Sequence, residues 1–69
     1  MIANDEELKG TRGRIAHFED LLAQMRVGAN PELFPLMASG YRAEIEKMQR
    51  EVLDYLTRHA SQPVPAEVA

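Results

Sequence analysis

Apolar residues recur at seven-residue intervals on both sides of a proline-bearing interruption, and this pattern limits the fold more than any other feature of the chain. In the second half Phe34, Tyr41, Met48 and Tyr55 repeat at seven, interleaved with Ala38, Ile45 and Val52, with Leu56 beside them. In the first half Leu8, Ile15 and Leu22 follow the same interval. Thr11, Phe18 and Met25 take the interleaved positions there, and Leu21 widens the row on one side. A repeat of this kind lays one apolar seam along an α-helix. Two such helices make an all-α chain.

The first helix is expected over about 4–27. Asn4 precedes Asp5, Glu6 and Glu7, which gives a side-chain acceptor at the cap, a reciprocal acid three residues on and negative charge in the first turn. Gly10 and Gly13 each weaken the early half by about 1 kcal/mol relative to alanine, so fraying or a close helix approach is expected there. Arg26 and Gly28 supply a cation and a stop at the far end.

The interruption reads "VGANPELFPLMASGY", Val27 to Tyr41. Asn30 and Pro31 form a cap followed by the residue best suited to a first helical position, so a second helix is expected over about 31–59 after a turn at 28–30. Pro35 comes too late to be free of cost. It implies a distorted first turn, or a short turn through Phe34 and a fresh start. A connection this short makes the helices antiparallel neighbours, with a proline-bearing recognition loop as the competing reading. Residues 1–60 therefore read as one antiparallel two-helix hairpin. Pro63 and Pro65 end the second helix, and residues 61–69, "SQPVPAEVA", are expected to form a disordered C-terminal tail.

A chain of 69 residues buries a low fraction of its surface on its own. It contains no cysteine and only two histidines, so neither disulfides nor a zinc cluster is available as a staple. Oligomerisation remains. Two hairpins packed seam to seam make a four-helix bundle with a two-fold axis. The residues expected at that dimer interface are Leu8, Ile15, Phe18, Leu22, Met25, Tyr41, Ile45, Met48, Val52 and Tyr55.

Composition narrows the partners. The formal charge is −3, from 11 acidic and 8 basic residues, which gives no reason to expect nucleic acid as a partner of this chain alone. The start "MIANDEELKG" has acids where a secretory leader has a basic flank, and no apolar run approaches membrane-spanning length. A cytoplasmic protein without membrane contact is expected.

Candidates for chemistry are few. His17 falls off the seam and reads as a solvated histidine, while His59 reads as a compensating charge near a helix C-terminus. Glu44, Glu46, Glu51 and Asp54 are numerous enough to face a metal across a bundle, but the Glu-x-x-His pattern of di-iron bundles is absent from the sequence. Neither a glycine-rich phosphate loop nor a serine-nucleophile motif occurs. Arg42, Glu46, Arg50, Asp54 and Arg58 step by four with alternating sign, the mark of a solvated helix face. Tyr41 and Tyr55 are expected to be half-buried with wet hydroxyls, and Met25 and Met48 to fill the core. No catalytic residue, cofactor or metal is expected.

The stretches "MIANDEELKGT" and "YRAEIEKMQREVLDYL" resemble the helical segment that precedes or stands in for the DNA-binding part of some bacterial antitoxin-type regulators. The resemblance covers about two thirds of the chain. It implies a dimerising helical module that engages a toxin or another protein, and it supplies no catalytic residues. In those regulators a helix-turn-helix domain follows, whereas here a proline-containing tail does, so DNA recognition does not transfer. The leading expectation is a non-enzymatic interaction module acting as a homodimer. The alternatives are a small-ligand or metal-binding bundle, and a nucleic-acid accessory protein using Lys9, Arg12 and Arg14.

Overall fold

The computed structural model describes residues 1–61, and within them two helices pack side by side. Helix α1 spans Asp5–Gly28 and helix α2 spans Phe34–Leu56. Their directions are opposed, as two cross-helix pairs show. The Phe18 ring meets Tyr41 edge-on with centroids 5.5 Å apart, and Asp5 at the start of α1 accepts a hydrogen bond from Tyr55 near the end of α2. The chain is thus a helical hairpin without strands among the described residues.

The start of α1 follows from its first residues. Asn4 Oδ1 accepts the Glu7 N–H at 2.9 Å, while the Glu7 carboxylate reaches back to the Ala3 N–H at 2.8 Å. Two donors are thereby satisfied, and three acids lie at the positive end of the helix. The expected fraying or close approach at Gly10 and Gly13 does not occur. α1 runs through both without a break, and a methyl group added at either would meet no atom within 4 Å. At the far end the backbone of Ala29 turns extended (φ −82°, ψ 156°), and its N–H bonds to the Met25 carbonyl at 2.9 Å. Gly28 is the last helical residue and does not adopt a left-handed conformation, so the stop belongs to Ala29 and the Asn30–Pro31 pair that follows it.

The second helix is shorter at both ends than the expected 31–59. Asn30 organises a turn: its side chain accepts the Glu32 N–H at 2.8 Å, and its carbonyl accepts the N–H groups of Leu33 and Phe34 at 3.0 and 2.9 Å. The regular ladder cannot start from Pro31, because Pro35 has no N–H to give the carbonyl four residues before it. Regular helix therefore begins at Phe34, with Pro35 in the first turn, where a missing donor is harmless. At the other end Thr57 stops α2 by donating both its N–H, at 3.0 Å, and its hydroxyl, at 2.7 Å, to the Leu53 carbonyl. Arg58 and His59 lie beyond the helix. Residues 62–69 are outside those described, and with them most of the segment expected to be a tail.

The core is small. Its buried apolar side chains are Ile2, Leu8, Ile45 and Met48, joined by Thr11, whose hydroxyl accepts from Arg14 at 3.3 Å. Ile2, only 3% exposed, stands before the first helix and was not part of the expected seam. It is held there by the adjoining Met1 amine, which lies 3.4 Å from the Glu51 carboxylate of α2. The whole is a slab 48 × 24 × 15 Å, one helix thick.

Candidate interaction surface

The ten residues expected at a dimer interface divide by what a single chain already does with them. Leu8, Ile45 and Met48 are buried by the hairpin itself, and Ile45 also borders the groove described next. Ile15, Phe18, Leu22, Met25, Tyr41, Val52 and Tyr55 are half-buried, each covered on one side and open on the other. This is the geometry of two helices meeting along one seam, where a residue at the edge of the seam touches only one neighbour.

Between the helices, on the flank toward the turn, the open sides merge into a groove of about 620 Å³. Leu22 and Ala23 of α1 and Phe34, Pro35, Ala38 and Ile45 of α2 form its apolar part, with Ser39 beside them. Glu19, Arg26 and Arg42 stand around it. The depression exists because small side chains, Ala23, Ala38 and Ser39, occupy positions beside the seam where long ones would bridge the helices. Arg42 is held by Glu46 at 2.8 Å, whereas neither Glu19 nor Arg26 has an ion-pair partner among the described residues.

A second apolar surface surrounds the turn itself. Val27 and Leu36 are 80% and 78% exposed, and Leu33 and Met37 are exposed beside them. None of the four belongs to the seven-residue repeat. Only Leu33 lies in the turn; Val27 is in the last turn of α1, and Leu36 and Met37 are in the first turn of α2, where their signal in the sequence is that they are apolar yet off the seam.

The remaining candidates do not converge on chemistry. Glu44, Glu46 and Asp54 are exposed, Glu51 faces the Met1 amine, and the described residues hold no group of three His, Asp or Glu suited to a metal. His17 is exposed, its ring 6.1 Å from that of Phe18. Nδ1 of His59 accepts the Ser61 N–H at 3.1 Å, within the turn beyond α2, so the ring serves that turn. Of the alternating charged row, Arg42 pairs with Glu46 and Arg58 with Asp54. The side chain of Arg58 is only 11% exposed, which corrects its expected place on a solvated face. It borders the same depression as Tyr55 at the open end of the hairpin and pairs with Asp54. The Tyr55 hydroxyl, expected to be wet, donates to Asp5 at 2.6 Å. That hydrogen bond to the carboxylate chiefly holds the phenol above its ordinary pKa; desolvation and the charge of Asp5 push the same way and the charge of Arg58 opposes them.

No helix among the described residues is long and apolar enough to cross a membrane. Compared with protein-family models, with curated proteins and with solved structures, the chain matches none of them.

Proposed function

We propose that this chain is a non-enzymatic protein–protein interaction module that acts as a homodimer of helical hairpins in the cytoplasm. The observation that carries the reading is the balance of apolar surface in the slab. Four apolar side chains are buried, while Val27, Leu33, Leu36, Met37, Leu53 and Leu56 stay exposed together with the open sides of the seam. Stable domains bury such faces between two layers, and the described residues form one. A second copy provides the other layer, giving a four-helix bundle.

The exposed residues at the turn, Val27, Leu33, Leu36 and Met37, are the surface offered to a protein partner. The stretches "MIANDEELKGT" and "YRAEIEKMQREVLDYL" suggest a toxin-type protein for that partner, with this chain in the antitoxin-like role. Acids interspersed with Lys9, Arg12 and Arg14 argue against phosphate binding by the chain alone.

Melting followed by circular dichroism over a hundredfold range of protein concentration tests the dimer. Folding coupled to association makes the midpoint rise with concentration. A cooperative melt with the same midpoint throughout would refute the reading.

A further inference from the structure

We infer that the second copy docks groove to groove, with the two-fold axis passing beside Leu22 and Ala23, so that Glu19 of each hairpin pairs with Arg26 of the other. The inference rests on the homodimer reading above and specifies its contact face. Two observations lead to it. The groove is apolar and open, and its charged rim contains one acid and one base without ion-pair partners among the described residues.

Their spacing does the rest. Glu19 and Arg26 stand seven residues apart, two turns along the same side of α1, separated by about 10.5 Å of helix rise. Midway between them lie Leu22 and Ala23. When two copies of α1 cross antiparallel about that midpoint, the residue at 19 in one lies beside the residue at 26 in the other, and the reverse contact follows by symmetry. An isologous interface requires this self-complementarity. The same axis falls near Ala38 and Ser39 on α2, so small side chains meet at the centre, where the backbones come closest. Leu22 and Phe34, half-buried in one chain, gain their missing cover.

Sedimentation equilibrium of the full chain and of Glu19→Arg, Arg26→Glu and the combined variant tests the arrangement, with circular dichroism reporting helicity. Both side chains are exposed, so the reversals leave the hairpin's own packing intact. Each single reversal is expected to raise the dimer dissociation constant by at least about tenfold, through like charges brought together. The double variant, which exchanges the signs, is expected to recover most of that loss. Ala23→Gln, which crowds the axis without changing charge, is expected to weaken the dimer too. If the wild-type chain dimerises but single reversals leave its dissociation constant unchanged, or the double variant is weaker than either single one, the groove is not the contact face and the homodimer reading survives. A wild-type chain that sediments as a folded monomer overturns both.

Discussion

Tyr55 and Asp5 are separated by fifty positions in the sequence, and their hydrogen bond ties the first turn of α1 to the last turn of α2. Because the carboxylate accepts from the phenol, the folded chain holds the Tyr55 proton more tightly than the unfolded chain does. The contribution of this bond to stability is therefore complete below the unfolded value of about 10 and disappears as pH rises through the higher folded value. Ultraviolet titration of a Tyr41→Phe chain is expected to place the Tyr55 ionisation above pH 10, and Asp5→Ala is expected to return it toward 10. An unshifted titration would show that the hydroxyl is not engaged. Nothing in the local sequence announced this pair. Tyr55 occupied a seam position and Asp5 read as a dipole-facing acid, and only the antiparallel register of the hairpin brings them together. Ile2 was hidden for a similar reason: it precedes the cap, where no periodicity operates, and its burial depends on what α2 places opposite.

At the level of the elements, the start of α1 was legible because capping is local chemistry. Asn4 and Glu7 sit within three residues of each other and their bonds form inside the first turn. The start of α2 was harder, since Asn30–Pro31 and Pro35 compete. The first pair signals a helix while Pro35 withholds the N–H that would extend one from it, and the result is a turn followed by a delayed start. The glycines of α1 were misread in one respect. Their cost to the helix stands, but no approach by α2 explains them, and nothing in the described structure does. Gly10→Ala and Gly13→Ala are each expected to stabilise the protein by roughly 1 kcal/mol, because both positions have helical backbone and open space beside them. Urea denaturation measures this directly. A loss of stability at either site would mean that another molecule packs against that glycine.

For the molecule as a whole, the periodic seam located the helix pairing but not the surface beyond it. Seam residues are strongly apolar, so they stand out, yet a hairpin uses Leu8, Ile45 and Met48 internally. The groove depends instead on Ala23, Ala38 and Ser39, whose small size draws no notice in a sequence and becomes visible only as a gap between helices. Two substitutions separate the roles. Ile45→Asp places an uncompensated charge in the buried seam and is expected to remove about 3–5 kcal/mol, abolishing helical signal. Leu22→Asp strikes the groove and is expected to break association, taking folding with it where folding needs the second copy. If Leu22→Asp melts with the midpoint and concentration dependence of wild type, the groove is not where copies meet.

The turn at Asn30 also bears on how copies trade places. Its side chain holds the Glu32 N–H and its carbonyl the Leu33 N–H, and one long rod through the connection would give up both turn bonds while Pro31 and Pro35 supply no N–H to the helix ladder in their place. In the proposed dimer, a rearrangement in which α1 of one molecule lies on α2 of another is thus disfavoured, and each hairpin is expected to keep its own pair of helices. Two populations carrying different labels would then mix by whole hairpins leaving and rejoining, without any chain having to unthread from its neighbour.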